Sequence, residues 1–405
     1  MKQKLDSAYA PDKNSRNAKA KVVVALSGGI DSFVTAYLLK IQKYDLLAVT
    51  VAIGWEEFSG DPSQKLACFI DPERMTAIKE FCNSLNIPHQ FIKASEEFED
   101  GVVEGWIANR ATGTLASPCW NCHELRMRML HQKMKQLGAE TLATGHFAKL
   151  FHQEVHGTVY VHTSNDDAHD QSVLLARLPH EILSSLSLPL SDLTKKEVLK
   201  LAENFGLEFK DKKLKMHQCF QMDQTLQDYL LSKVPAKYSQ HGEFSNSDGT
   251  SSFGEHNGII AHGYGEPMPS NTPNKKSEYY VSRYLPQEKK IEVQTDEFFM
   301  RNKVMLVKCE ISEDTSLAEP MKGVVRLDET THVDCWVYPK NLKAVLIEWD
   351  EPHKVLEGDI LAVFRKKGKN AKVYLSGKVK LLPQEVVEEE GEKQRVKKVD
   401  YSRDL

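Results

Sequence analysis

The stretch Lys21–Lys40, KVVVALSGGIDSFVTAYLLK, decides how the rest of the chain is read. Val22 to Leu26 form an apolar run, Ser27, Gly28 and Gly29 break it, and apolar positions resume at Phe33, Val34, Tyr37 and Leu38. That pattern predicts a buried strand, a tight glycine turn and a helix. Glycines there let backbone N–H groups approach a ligand, and the helix adds its unpaired amides and positive dipole end, so the turn is expected to hold an anion. Ser27 and Ser32 add hydroxyl donors, and Asp31 beside a phosphate site is expected to hold Mg²⁺. The string is not a Walker A loop, which requires GxxxxGK[ST].

Outward from this turn the chain alternates strand and helix. A second buried strand is expected at Leu46 to Val51, followed by a helix with Asp71 as N-cap, Pro72 as first residue and Met75, Ile78, Phe81, Cys82 and Leu85 on one face. A strand near Gln90 to Ile92, a helix from about Glu96 to Asn109, a loop to Cys119, a helix Glu124 to Leu137 and a strand Thr141 to Thr144 continue the series. The expected fold is α/β, a doubly wound parallel sheet, in which ligands bind beyond the carboxyl ends of the strands. Ala148 to His162 read as a hairpin, and Thr194 with Glu197 as a capping box. Residues 239 to 277 are dense in Gly, Ser, Asn and Pro, as in a small turn-rich β module. Strands then dominate, at Glu278 to Ser282, Ile291 to Thr295, Lys303 to Ile311, Ala344 to Glu348, Ile360 to Arg365 and Val373 to Leu381, and they suggest a β-barrel. The expected divisions are a leader 1–19, a catalytic domain 20–235, a central β module 236–295, a barrel 296–384 and a charged tail 385–405.

At 405 residues and 41% hydrophobic, the chain is long enough for two or three domains with proper cores. No apolar run approaches a membrane span and residues 1 to 20 lack a hydrophobic signal core, so a cytoplasmic protein with no membrane partner is expected. A net charge of -4 gives no global drive toward nucleic acid, which leaves local patches such as Lys195, Lys196 and Lys210 to Lys215. Seven cysteines argue for reduced thiols and sulfur or metal chemistry. Cys119 and Cys122, in SPCWNCHELRMRML, stand at a loop-to-helix junction, where the dipole favours a thiolate suited to reaction or to metal binding. Cys219, in HQCFQMD, follows about a hundred residues later. Cys68, Cys82, Cys309 and Cys335 have no motif around them and are expected to be structural.

The string SGGIDS resembles the pyrophosphate loop of the ATP pyrophosphatase superfamily, whose adenine-nucleotide α-hydrolase-like fold cleaves ATP between the α and β phosphates to adenylate a carbonyl oxygen. The series GIDS, SPCWNC, ATGH at 143 to 146, HDQS at 169 to 172 and CF at 219 and 220 is similar, in order and spacing, to the tRNA-specific 2-thiouridylases. FGEHNGIIAHGYGE at 253 to 266 and EYYVSRYLP at 278 to 286 resemble that family's later domains, so the likeness covers roughly residues 20 to 382.

The resemblance implies an enzyme that places AMP on the C2 oxygen of the wobble uridine of a tRNA and displaces it with sulfur. A carbonyl oxygen is a poor leaving group until it is adenylated, and the attacker must be a soft sulfur nucleophile. Its implied cofactors are ATP and Mg²⁺, and its partners are tRNA and a sulfur donor. Ala25, Leu26, Ser27, Gly28, Gly29, Ile30, Asp31, Ser32, Ala52 and Gly145 would bind ATP. Cys122 would be the nucleophile and Cys219 the persulfide carrier, while His146, His169, Asp170 and Gln171 match positions that meet the tRNA. The chain departs from the family at Cys119, where an aspartate is usual, and at AHGYGE, where an IGQR-like string is usual. Relatives with three such cysteines are associated with an iron–sulfur cluster, so Cys119, Cys122 and Cys219 could hold a [4Fe-4S] cluster. A metal-free persulfide relay and a zinc site completed by His123 or His217 remain open beside it. So do other adenylating enzymes on the same loop, such as a lysidine-forming ligase or an amidotransferase synthetase, and a non-catalytic tRNA binder. Trp120, between the two cysteines, is placed either to stack a flipped base or to pack against the domain.

Overall fold

The chain, analysed as a computed structural model, is described over residues 20–53, 72–111, 118–153, 157–207, 234–235, 238–247, 249–269, 279–312, 315–328 and 331–382. Cys68, Asp71, Lys210 to Lys215, His217, Cys219, the leader 1–19 and the tail 385–405 lie outside those residues.

The first layer is built on β1 (Lys21–Ala25), whose Val22, Val23 and Val24 are fully buried. A strand covered by helices on both faces needs this continuous apolar run, not an alternating one. After it come α1 (Ile30–Ile41), β2 (Asp45–Ala52), α2 (Pro72–Ser84), β3 (His89–Lys93), α3 (Glu104–Ala111), α4 (Pro118–Gln136) and β4 (Thr141–Ala143). The α-turn Ser95–Phe98 and the π-turn Glu99–Val103 run into α3, so the single helix expected from Glu96 to Asn109 is wound three ways. The hairpin β5 (Lys149–Gln153) and β6 (Thr158–His162), β7 (Leu186–Ser187) and α5 (Lys195–Asn204) complete the layer. The sheet order is β3-β2-β1-β4-β7, and all its pairs are parallel. Chain direction across the sheet reverses at β1, with Val22 opposite both Leu46 and Thr141, so the crevice beyond the ends of β1 and β4 is the switch point.

The central module is a four-stranded sheet, β8 (Gly242–Ser245), β9 (Ser252–His256), β10 (Tyr280–Leu285) and β11 (Lys290–Gln294), in the order β10-β11-β8-β9. It is fastened to α3 by Arg110, which donates from Nε to the Ile260 carbonyl at 2.9 Å and pairs with Glu266 at 3.0 Å.

A closed barrel follows: β12 (Met300–Ile311), β13 (Met321–Arg326), β14 (His332–Asn341), β15 (Ala344–Lys354), β16 (Ile360–Phe364) and β17 (Val373–Lys380). Val304, Leu306, Val337, Ile347, Val363 and Leu375 fill its interior. Its outer face is not free: Val324, Ala362, Phe364 and Val373 share one core with Val159, Val161, Leu175 and Leu142 of the α/β layer. Cys82, Cys309 and Cys335 are buried as expected of structural thiols, and burial pushes their pKa values up to about 11, 11 and 12. No described helix is long and apolar enough to cross a membrane.

Candidate functional site

The turn after β1 is held by its own hydroxyls. Gly28 has φ 80°, a conformation side chains rarely take, and Gly29 caps α1 from an extended backbone. Ser32 Oγ donates to the Gly29 carbonyl at 2.7 Å and accepts from the Ser27 amide at 3.3 Å, while the Gly29 amide reaches Ser27 Oγ at 3.3 Å. Ser32 therefore knits the loop, and its proton is already engaged there. Leu26 and Ile30 are buried beneath the turn and Ala25 ends β1.

Asp31, in the first turn of α1, faces an ammonium: Lys195 Nζ lies 2.6 Å from its Oδ1. Lys195 opens α5, whose Thr194–Glu197 capping box is formed as expected, and its amide donates to Asp166 Oδ2 at 2.8 Å. Both ends of this lysine are thus fixed across the mouth of the loop. Lys195 is one of the sequence's local basic patches, but its partner is Asp31. Only the tertiary fold reveals that pairing.

Gly145, just past β4, lies against the same helix start. A Cβ built on it would stand 2.9 Å from the Asp31 carbonyl carbon and 3.1 Å from the Ser32 amide, so only glycine fits. Ala52 ends β2 with 2% exposure. The residues expected at the nucleotide accordingly converge on the switch point from β1, β2, β4 and α1.

The two motif cysteines do not precede their helix. Pro118, whose missing N–H costs nothing at a first helical position, starts α4 six residues earlier than expected and puts Cys119 and Cys122 in its first turns, one turn apart. Cys122 is buried and Cys119 half-buried. Arg126, one turn further on, donates from Nε to Cys122 Sγ at 3.3 Å and from Nη1 to the Val51 carbonyl at 3.1 Å. A full positive charge stands against the sulfur, and the same guanidinium ties it to the end of β2, next to Ala52. The i, i+4 spacing of Cys122 and Arg126 was available in the sequence, hidden by the late helix start.

Two of the three motif cysteines therefore lie in the first turns of one helix, three residues apart. The third, Cys219, is outside the described residues, and among those residues no group of three or more His, Cys, Asp or Glu is arranged to hold a metal. His123, the other proposed zinc ligand, meets His146 at 3.2 Å between Nε2 atoms, and His146 Nδ1 meets Thr144 Oγ1 at 2.8 Å. Burial holds His146 down to about 4 and His123 well below its ordinary value, the latter also through His146 and Arg126. Both rings are neutral at neutral pH, one donating to the other.

The residues expected at the tRNA have unlike surroundings. His169 is exposed and its Nδ1 pairs with Asp166 at 3.1 Å. Gln171 clamps the turn after His146: its Oε1 accepts from the Phe147 amide at 3.0 Å, and its own amide donates to the Phe147 carbonyl at 2.8 Å. Asp170 is a correction. Its side chain is 0% exposed, accepts from the Ser164 amide at 2.7 Å and from Ser172, and pairs with Arg326 of the barrel at 2.8 Å. A carboxylate spent inside the protein does not touch RNA; it fastens the barrel to the catalytic layer, a role that needed the barrel's position to be seen.

Residues 20–223 match the family described as the tRNA methyl transferase HUP domain. Similar chains include tRNA-specific 2-thiouridylase MnmA 1 of Clostridium tetani, 28% identical over 71% of this chain and 77% of that one. The tRNA-specific 2-thiouridylase MnmA of Clostridium perfringens is 33% identical over 61% of this chain and 68% of its own length, and that of Rickettsia africae is 31% identical over 62% and 68%. Among solved structures, the U34-tRNA thiolase NcsA from Methanococcus maripaludis with its [4Fe-4S] cluster is 21% identical over 53% of this chain and 66% of that one, at a TM-score of 0.34. With half its length matched by the family profile and a third of its residues shared with these relatives where they align, the chain belongs to the tRNA methyl transferase HUP-domain family, the family of the tRNA-specific 2-thiouridylases.

Proposed function

We propose that this protein is an ATP-dependent tRNA uridine 2-sulfurtransferase: it adenylates the C2 oxygen of the wobble uridine and replaces it with sulfur delivered through Cys122. The observation that carries the reading is Arg126, which joins Cys122 Sγ to the Val51 carbonyl and so holds a sulfur nucleophile at the strand end beside the glycine turn. The turn binds the phosphates of ATP through its amides and the start of α1. Lys195, now paired with Asp31, is placed to turn to the phosphates of ATP, and Asp31 would then hold the Mg²⁺ that neutralises them. The uracil carbonyl attacks the α-phosphate and pyrophosphate leaves; the outer sulfur of a persulfide then attacks C2 and expels AMP, and the second cysteine of the Cys122/Cys219 pair cleaves the sulfur–sulfur bond, freeing 2-thiouridine and leaving a disulfide that an external thiol reductant reopens. Neutral His146, oriented by Thr144 and His123, lines the mouth through which the base enters.

Two routes would supply the sulfur: Cys219 would carry a persulfide taken from a donor protein, with Cys122 as the thiol that releases its outer sulfur, or Cys119, Cys122 and Cys219 would hold a [4Fe-4S] cluster, which when bound would supply an iron able to take up sulfide for direct attack on the activated base. Iron with acid-labile sulfide in anaerobically purified protein favours the second route. Colourless and active protein excludes it.

The test is product analysis with Cys122→Ser and Arg126→Gln. Both are expected to release AMP from ATP in the presence of unmodified tRNA and to form no 2-thiouridine, as read by mass spectrometry of digested tRNA. Full thiolation by Cys122→Ser would remove the cysteine from its assigned role.

A further inference from the structure

A cavity of about 290 Å³ opens between the catalytic layer and the barrel. Three cations line it: Arg177 from the α/β layer, Lys308 of β12 and Lys378 of β17. Trp120 and His123 of α4 form the wall on the catalytic side. Among the described residues none of the three cations has an ion-pair partner, and Arg177 Nη1 is buried without any hydrogen-bond acceptor. The acid on the wall, Glu124, is taken by Arg128 at 2.7 Å. Glu357, the carboxylate whose charge acts on Lys378, accepts from the Leu381 amide. Burial and the charges of Lys308 and Arg177 lower the pKa of Lys378, opposed by Glu357.

Three like charges around one cavity repel one another, and a buried guanidinium nitrogen left unpaired is costly. An anion entering the cavity would remove both penalties. The volume is at the lower end of small-ligand sites, roughly 300 Å³, enough for a phosphate with part of its sugar. Trp120 beside the charges gives the aromatic surface that accompanies phosphate contacts where a single strand is bound. The cavity also shares His123 with the candidate site, through its contact with His146.

We propose that this cleft between domains binds a backbone phosphodiester of the substrate RNA, next to the nucleotide whose base enters the catalytic site, with Arg177, Lys308 and Lys378 as its ligands. The assignment rests on the tRNA reading above. It gives the barrel a function: β12 and β17 complete a phosphate site that the catalytic layer alone lacks. The Asp170–Arg326 pair, which fastens barrel to catalytic layer, then keeps the two halves of that site in register.

The experiment measures binding of unmodified tRNA to the full chain by fluorescence anisotropy over a range of KCl concentrations, for wild type, Arg177→Ala, Lys378→Ala and Lys308→Glu. Lys308 is exposed at its strand position, so its reversal keeps the barrel folded and is the decisive variant. Each substitution is expected to flatten the slope of log K against log [KCl] by roughly 0.7 to 0.9, the loss of one phosphate contact. An unchanged slope in Lys308→Glu and Arg177→Ala overturns the assignment while leaving the tRNA reading intact. Wild type that fails to bind tRNA at all overturns that reading itself. A parallel titration with uridine monophosphate separates free nucleotide from RNA: saturable binding lost in Lys308→Glu, with the tRNA slope unchanged, would mean that the cleft serves a free nucleotide and would also overturn the proposal.

Discussion

Lys195 Nζ lies 2.6 Å from Asp31 Oδ1 although 164 residues separate the two. The ammonium sits at the N-terminal end of α1, where the phosphates of ATP are proposed to bind, and it neutralises the one carboxylate of the turn until they arrive. Lys195→Ala removes a charged contact to the phosphates, so AMP formation is expected to fall by about 10- to 100-fold, from roughly 1.5–3 kcal/mol lost. Asp31→Asn is expected to weaken the dependence of that rate on Mg²⁺. Rates equal to wild type in both variants would place the phosphates elsewhere.

Gly145 approaches Asp31 too closely for any side chain. Gly145→Ala must push β4 away from α1, at a cost of about 1–3 kcal/mol. Because the strain falls on the turn itself, ATP affinity is expected to drop along with the melting temperature. A variant with normal ATP affinity would mean that the turn can shift without consequence.

Acid is expected to destabilise the protein through its buried histidines. Burial lowers His89, His146, His256 and His262 to about 4, and His123 falls well below its ordinary value. Between about 6.5 and 4 the unfolded chain binds protons that the folded chain refuses. Stability is therefore complete above about 6.5 and declines as pH falls toward 4. Urea midpoints measured across this range are expected to show that decline, shallower by up to one proton in His146→Gln. A flat profile would contradict the burial of these rings.

Breaking the Asp170–Arg326 pair leaves a buried charge at the junction of two domains. Asp170→Asn is expected to destabilise the chain by about 3–5 kcal/mol, with loss of cooperative unfolding between the barrel and the catalytic layer. Double substitution to a neutral pair, Asp170→Asn with Arg326→Gln, is expected to recover part of it. An Asp170→Asn protein of normal stability that binds tRNA weakly would restore the residue to the RNA interface.

The α/β layer was legible because its physics is local. Val22 to Leu26, Leu46 to Val51 and the apolar face of α2 each declare their period within a dozen residues, and SGGIDS marks the turn between the first two elements. The barrel was half legible. β13 and β14 escaped notice, although Val333, Cys335 and Val337 alternate as a half-buried strand should, because Pro339 near the end of β14 and the apolar Trp336 on its exposed side masked the pattern. The site divides in the same way. Cys122, Gly145 and Asp31 lie in motifs, whereas Lys195 and Arg326 act across more than 150 residues of chain, where spacing carries no signal. Arg126 fell between the two, being local to Cys122 but visible only once the helix is known to start at Pro118.

Adenylation and sulfur transfer are proposed to occur on one tRNA base at the turn formed by Ser27 to Ser32. The most direct test is to incubate the purified full chain with unmodified tRNA, ATP and either sulfide or a persulfide donor, and to count AMP and 2-thiouridine in the same sample by mass spectrometry. One AMP is expected for each 2-thiouridine formed, with the sulfur at the wobble position. AMP released with no thiolated uridine under either sulfur source, or AMP carried instead to a different acceptor, would contradict it.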